Sequence, residues 1–287
     1  MTLAGLVITI LSAIVVFIVI GIFLMVILYS EIKVASHIQS RLGYMRTGWH
    51  GTLQGLADMV KLLLKEEIIH PKTDKLIFLM APYVVFVPAF LAFIVVPFGP
   101  KLIVQDLNIG LLYFVAISSI GVLGIFMAGW ASHNKYSLLG GIRSAAQIIS
   151  YEIPRSLSIL GVIMLSGSLS TVSIVSAQTK VWYILLQPLG FFLYFITSLA
   201  ECNRTPFDLP EAESELISGF HTEYTGMRFA LFFMAEYTHV FAACALGTVL
   251  FLGGWRMDQL MNLGWRTLLP LAIVNFVFTG VGILLVS

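Results

Sequence analysis

Long apolar runs are the feature that most constrains the fold of this chain. Seven of them occur, at about residues 3–29, 76–98, 110–131, 148–169, 181–200, 226–252 and 266–286. An apolar run of roughly 20 residues crosses a bilayer as a helix, because backbone polar groups in lipid must be satisfied within the segment. Hydrophobic residues make up 59% of the chain and charged residues only 11%. The sequence therefore predicts an all-α polytopic membrane protein.

No internal repeat or low-complexity tract divides the chain, so we expect a single membrane domain over residues 1–287. The first run lacks a cationic leader and a cleavage site, which favours a retained helix over a signal peptide. The net charge of +1 implies no nucleic-acid partner. Cys202 and Cys244 form no C-x-x-C pair, so neither a disulfide framework nor a metal or iron–sulfur site is indicated.

The polar connection over residues 30–75 contains an amphipathic pattern. Apolar residues recur there at helical spacing, with polar residues on the opposite side; the apolar set is Leu53, Leu56, Ala57, Val60, Leu63 and Leu64. Such a pattern is typical of a helix lying in the plane of the membrane interface.

The distribution of basic residues predicts the orientation. The connections after the first, third and fifth runs hold twelve lysines and arginines, counting Arg143 and Arg155 after the third. Those after the second and fourth runs hold only Lys101 and Lys180. The long first connection and the connection after residue 200 are therefore expected on the cytoplasmic side. Arg256 and Arg266 break the alternation. Either they are tolerated exceptions, or a span is missing between residues 255 and 256.

Acidic residues are concentrated in residues 201–223, which hold six carboxylates and one arginine. Asp208 and Glu211, with Pro210 between them, fit a helix-capping box. Capping does not account for Glu213 and Glu215. Glu211 and Glu215 lie four residues apart, where like charges on a helix repel and tend to share protons. A proton-handling loop is therefore the sharper interpretation.

Two further acids, Glu152 and Glu236, fall within or next to apolar runs. Ionisable groups at membrane depth are costly and by default functional. Two structural alternatives stay open: Glu236 could pair with His239, and His221 could be a surface residue.

Three motifs resemble the subunit-1 family of NADH:quinone oxidoreductase, respiratory complex I. The first is Glu31-x-Lys33, Gln39-x-Arg41-x-Gly43 and Gly48-x-x-Gly51-x-Leu53-Gln54-x-x-Ala57-Asp58-x-x-Lys61. The second is Gly129-Trp130-Ala131-Ser132 with Arg143-Ser144-Ala145-Ala146-Gln147-x-x-Ser150-Tyr151-Glu152. The third is the acidic stretch from residue 201 through Glu223-Tyr224-x-Gly226. The match covers nearly the whole chain in order. Ile32 and Tyr44 depart from the usual arginine and proline of the family.

The resemblance implies a membrane-arm subunit that forms the quinone-access tunnel and begins the relay coupling quinone reduction to proton translocation. The quinone-binding residues it implies are Gln39, Arg41, Asp58, Arg204 and Phe207. The proton-relay residues it implies are Glu152, Glu201, Asp208, Glu211, Glu213, Glu215, Glu223 and Glu236. A lipid-headgroup contact or a salt bridge to a partner subunit is the alternative role for Arg41 and Arg204. The family has eight spans, so seven to eight transmembrane helices, an interfacial helix and an acidic cytoplasmic loop are expected.

The sequence contains no motif for nicotinamide, flavin, haem or metal, so we expect the chain to bind no cofactor and to catalyse nothing alone. Quinone would be the substrate, with NADH, FMN and iron–sulfur clusters in partner subunits. The expected partners are the quinone-site subunits of the peripheral arm, the neighbouring membrane-arm subunits and membrane lipids. The expected location is a bacterial-type cytoplasmic membrane or an organelle inner membrane. The alternative is the equivalent subunit of a membrane-bound hydrogenase or ferredoxin-linked complex, against which the loop at residues 214–224 argues. A stand-alone transporter would show internal symmetry, which the sequence lacks.

Overall fold

The computed structural model describes residues 3–99, 102–179, 181–204, 206–210 and 213–253. Apart from one isolated β-bridge between Gly99 and Leu102, the regular structure within these ranges is helical. The α-helices are α1 (Leu3–Ile38), α2 (Gln54–Leu64), α3 (Lys75–Leu91), α4 (Gly110–Ala131), α5 (Lys135–Ser166), α6 (Thr171–Ala177), α7 (Tyr183–Leu186), α8 (Pro188–Glu201), α9 (Glu213–Leu216) and α10 (Gly226–Phe251). Short 3-10 helices cover Trp49–Gly51, Ala92–Val95 and Gly219–His221.

Five of the described helices are long and apolar enough to cross a membrane. They are α1, α3 with its 3-10 extension, α4, α5 and α10. This confirms the prediction of an all-α, multi-pass integral membrane protein. The predicted last run at 266–286, and the junction at 255 and 256 where a span could be missing, lie outside the described residues.

The predicted fifth span, residues 181–200, is not one continuous helix. It divides into α7 and α8 around Gln187, whose backbone has φ −134° and ψ 63°. Gln187 precedes Pro188, and a residue before proline is sterically driven out of the helical region. α8 then has 14 residues, about 21 Å of helix at 1.5 Å per residue, which is shorter than the bilayer core.

The fourth span begins earlier than predicted. α5 starts at Lys135, where the side chain of Asn134 caps it by accepting a hydrogen bond from the Tyr136 amide. Arg143 and Arg155 therefore lie inside α5, and assigning them to the preceding connection was wrong. Arg155 is buried, so it contributes nothing to the charge of a cytoplasmic loop.

The amphipathic segment forms a helix, α2, and none of its residues is buried. It is held against the start of α10 through the segment that follows it, where Arg228 and Glu67 form a 2.8 Å ion pair. Its location in the membrane interface stays a prediction, as does the single-domain organisation of residues 1–287.

Close helix packing positions the site. α4 lies between α3 and α5, and glycines allow the approach: a Cβ at Gly124 would lie 2.5 Å from a Val85 methyl, and one at Gly129 would lie 3.1 Å from the Cα of Gly141. Around them the apolar core falls into two clusters. One contains Phe78, Val85 and Phe232 and lies beside the site. The other includes Phe93, Phe114, Leu246 and Phe251.

Candidate functional site

A cavity of about 250 Å³ lies where α3, α4, the end of α8 and α10 meet. Its apolar walls come from α3, α4 and the phenylalanines of the 3-10 turn and α10. Its polar residues are Glu201, Cys202, Asn203, Arg204, His221, Glu236 and His239. A concave space with apolar walls and a few convergent polar groups is the usual form of a functional site.

Arg204 connects three parts of the chain at this cavity. Its Nε lies 3.1 Å from Glu236 Oε1 on α10, and its Nη1 lies 3.4 Å from Glu31 Oε1 on α1. The guanidinium also lies over the Tyr237 ring, 4.2 Å from its centroid. The Tyr237 hydroxyl completes the cluster by donating to Glu31 Oε2 at 2.8 Å.

The electrostatics of Arg204 are set by these partners. Burial alone would lower the pKa of Arg204, but Glu236, Tyr237 and Glu31 outweigh burial and raise it. The guanidinium therefore stays charged. Its Nη2 is buried and has no hydrogen-bond partner among the described residues. Glu236 pairs with Arg204. The alternative that Glu236 pairs with His239 is therefore not what the structure has, and the ion pair lies inside the candidate site.

A second ionic cluster joins α4, α5 and α8. Arg155 of α5 forms an ion pair with Glu201 at the end of α8, and its Nη2 donates to Ser118 Oγ at 3.2 Å. Glu152, one turn earlier on α5, is hydrogen-bonded to Ser119. Of the predicted relay acids, Glu152 is thus held by Ser119 of α4 and Glu201 by Arg155, which Ser118 of α4 holds in turn.

Other predicted relay acids lie further out. Glu215 is exposed and accepts a 2.7 Å hydrogen bond from Arg143, and Glu223 accepts one of 2.7 Å from Asn134. Asp208 is exposed and interacts electrostatically with Glu236. Glu213 begins α9, but its side chain lies outside the description, as does the whole of Glu211; the capping interpretation of that helix start stays a prediction.

His221 is packed rather than on the surface. Its ring lies between those of Phe220 and Phe229, at centroid distances of 5.0 and 5.4 Å. Burial lowers the pKa of His221 to about 4, so the imidazole is neutral at neutral pH.

The predicted quinone-binding residues fall into two groups. Gln39 and Arg41 are exposed just beyond α1, and Asp58 of α2 contacts Gln54 and Lys61 at 3.2 Å each. This first group is tied to α1, since the Tyr29 hydroxyl donates to the His50 carbonyl at 3.0 Å.

The second group is Arg204 and Phe207, in the segment after α8. The Phe207 ring meets Tyr151 of α5 edge-on at 5.5 Å, and its carbonyl accepts from Gln147 Nε2 at 2.9 Å. The same Gln147 amide contacts the Ala200 carbonyl and the Asn203 side chain. Gln147 therefore fixes the turn that presents Arg204 to α1 and α10.

Sequence reasoning missed Arg155, Glu31 and Tyr237 as site residues. Arg155 was detectable, because it is an ionisable residue inside the apolar run 148–169. The same signal singled out Glu152 and Glu236. Glu31 belongs to the first of the three motifs but had no assigned role, and Tyr237 carried no signal. Their role depends on α1 and α10 meeting at Arg204, a contact between residues far apart in the sequence.

Comparison with known proteins gives a consistent result. The family model described as NADH dehydrogenase matches residues 11–257. An NADH-quinone oxidoreductase subunit of Geobacter metallireducens is 49% identical, over 88% of this chain and 89% of that protein. The NADH-quinone oxidoreductase subunit of the same type from Dehalococcoides mccartyi is 49% identical over 91% of this chain and 83% of that protein. The one from Bacillus cereus is 46% identical over 88% of this chain and 86% of that protein.

Proposed function

Because the chain belongs to the NADH dehydrogenase family, among membrane subunits of NADH-quinone oxidoreductase, we propose that it forms the quinone-access tunnel and the acidic relay that couples quinone reduction to proton translocation. One observation carries the proposal. Glu201, Arg204, Glu236 and His239 line one cavity, with Glu236 and His239 in the interior of α10 and Glu201 and Arg204 at and after the end of α8. Ionisable groups among membrane helices mark proton or ion pathways.

The quinone side is assigned to Gln39, Arg41, Asp58, Arg204 and Phe207. Exposed apolar side chains on α2 and on the connection before it, such as Trp49, Leu56 and Val60, suit contact with an isoprenoid tail arriving from the bilayer. Cationic and aromatic groups suit a polar quinone headgroup. The relay side is assigned to Glu152, Glu201, Asp208, Glu211, Glu213, Glu215, Glu223 and Glu236.

Arg204 is the residue through which the two sides would communicate. Reducing a quinone to a quinol consumes two electrons and two protons, and negative charge develops on the headgroup in between. A guanidinium that turns toward that charge loosens its pairing with Glu236. Without its counter-charge, the Glu236 carboxylate gains affinity for a proton. Quinone reduction thereby changes the protonation of Glu236 within the membrane helices. This change shifts the charge that neighbouring subunits meet, and so can couple to them.

The chain is proposed to bind no cofactor of its own. NADH, FMN and iron–sulfur clusters would reside in partner subunits, and quinone is the substrate that contacts this chain. Its partners within the oxidoreductase would be the peripheral-arm subunits around the quinone headgroup and the adjacent membrane-arm subunits. Alone, the chain would catalyse nothing.

The variant Glu236→Gln tests the proposal in complex purified from native membranes and reconstituted in vesicles. We expect assembled complex in normal amount, with quinone reduction and proton uptake lowered about tenfold, which is about 1.4 kcal/mol of barrier. Glutamine keeps the shape and can still accept from Arg204 but cannot carry the proton. Glu66→Gln, at an exposed acid after α2, is the matched control and should behave as the parent. Normal coupled activity in Glu236→Gln would refute the relay.

A further inference from the structure

A buried arginine lies between two acids of the proposed relay. Arg155 is in the interior of α5, with its side chain 3% exposed. Nη1 pairs with Glu201 and Nη2 donates to Ser118, while Nε is buried and has no hydrogen-bond partner in the part of the chain that the structure describes. A cation in a membrane helix is costly unless it is paired and hydrogen-bonded. The Arg155 guanidinium is incompletely hydrogen-bonded in such a helix, which indicates a functional rather than a structural role.

Glu152 is the second acid within reach of this cation. It precedes Arg155 by three residues on α5, and residues at that spacing are neighbours on a helix face. The adjacent α4 residues Ser118 and Ser119 hold the two side chains, Ser118 the guanidinium and Ser119 the Glu152 carboxyl group. Arg155 can therefore pair with Glu201 across the helix interface or with Glu152 on its own helix.

Ser119 links Glu152 to α4. Its Oγ donates to the Val115 carbonyl oxygen at 2.9 Å and is also hydrogen-bonded to Glu152 Oε1. One hydroxyl proton can be shared between two acceptors in this way. Glu152 is therefore held on the α4 side of the cluster, next to the serine that holds the guanidinium.

Charge balance favours one proton on the two acids. With one acid protonated, the other ionised and Arg155 cationic, the cluster is neutral. Ionising both acids leaves one net negative charge, and protonating both leaves one net positive charge. Either is disfavoured in a low-dielectric interior. The other groups that face the guanidinium are Tyr194 and Cys202 from the α8 side and His239 from α10.

Building on the proposed function, we propose that Arg155 is the positioning residue of the relay: it pairs with whichever of Glu152 and Glu201 is ionised and so keeps one proton on the two acids. In the transfer, the O–H bond at Glu152 breaks and an O–H bond forms at Glu201. The guanidinium meanwhile exchanges the Glu201 carboxylate for that of Glu152. The pair thus exchanges a proton without a change in the charge of the cluster.

The first test compares Arg155→Met with Arg155→Lys in the assembled complex. Methionine fills much of the space without the charge, so no cation at this position offsets a carboxylate of the cluster. We expect the pH profile of quinone reduction to move alkaline by about one unit and proton uptake to fall about tenfold. Lysine keeps the charge and should keep the parent profile. An assembled Arg155→Met complex with parental profile and proton uptake would overturn the proposal.

A second comparison separates a shared cation from a simple anchor for Glu201. In a Glu201→Gln background, Glu152 is the only carboxylate of the cluster with which Arg155 can pair. If Arg155 acts on both acids, adding Arg155→Met shifts the pH profile again by about one unit; if it only anchors Glu201, the double variant matches Glu201→Gln and the proposal fails. The double variant also removes the unpaired buried charge, so it assembles even where Arg155→Met alone does not.

Glu236→Gln tells the two proposals apart, because Glu236 is outside this cluster. If that variant pumps normally, the relay itself fails. If it loses coupling while the Arg155 comparisons show no shift, the relay stands and only the role of Arg155 fails.

Discussion

His221 is a half-buried histidine that lines the cavity, and its packing makes the fold sensitive to acid. Its pKa is lowered to about 4 in the folded chain, from 6.5 for an ordinary histidine. Between these values the unfolded chain binds a proton that the folded chain does not, so stability falls as the pH drops through this window. At pH 5 the penalty is about 1–2 kcal/mol.

We therefore expect His221→Gln to reduce the loss of thermal stability between pH 7.5 and pH 5 in the purified complex. Unfolding followed at both pH values measures the slope. His37→Gln, at an exposed histidine near the end of α1, should leave the slope as in the parent. An unchanged slope in His221→Gln would mean that the imidazole is protonated in the folded chain.

At the scale of elements, the contact between α5 and the 3-10 turn at Gly219–His221 sets the shape of the cavity. A Cβ at Gly140 would lie 2.7 Å from the Gly219 Cα and 2.8 Å from the Phe220 nitrogen. These are backbone atoms and cannot rotate away. Ser137 of the same helix also donates to the Phe220 carbonyl at 2.9 Å. The turn that carries His221 is therefore fixed by direct backbone contact with α5.

Gly140→Ala should accordingly destabilise the complex by about 1–3 kcal/mol, the usual cost of overpacking, and lower coupled quinone reduction by displacing the cavity wall. Gly21→Ala is the control, because a Cβ at this helical glycine of α1 has no atom within 4 Å. It should be neutral or slightly stabilising, since alanine is the better helix former. Thermal unfolding and activity of the two variants, measured side by side, decide the matter; equal stability would show that the turn can shift freely.

For the whole molecule, the sequence predicted what depends on local composition. Apolar runs gave the class and five of the spans, and helical spacing gave α2. It did not predict the break at Gln187, where the constraint of Pro188 outweighs an apolar run. The sequence also predicted a start of α5 that is too late, because Lys135 and Arg143 suggested a loop. In the structure the Asn134 cap begins the helix at Lys135, and the close approach of Gly129 and Gly141 packs its first turns against α4.

The sequence predicted members of the candidate site, such as Glu201, Glu236 and Arg204, but not their pairing. Which acid meets which cation depends on contacts between distant residues: Arg204 lies 173 positions from Glu31, and Arg155 reaches Glu201 from another helix. Periodicity and motif spacing contain no information on such pairs. The structure adds the pairing, and with it the separation into an Arg204 cluster and an Arg155 cluster.

The composition of the complex is the prediction that belongs to the whole molecule. Tagged chain purified from native membranes in mild detergent should bring down antiporter-like membrane subunits and a quinone-facing peripheral arm, identified by mass spectrometry. α1 supports this expectation, since many of its large apolar side chains, among them Leu11, Val15 and Ile22, are exposed and are free to contact lipid or adjacent subunits.

The donor module recovered with the chain decides between electron sources. An NADH-oxidising module would agree with the proposed function, and a nickel–iron hydrogenase pair would move the chain to the ferredoxin-linked or hydrogenase relatives. Because an untagged strain carried through the same purification defines the background, recovery of the chain alone would contradict a subunit role. The ion pairs at Arg155 and Arg204 would then have to serve a pathway contained within this one chain.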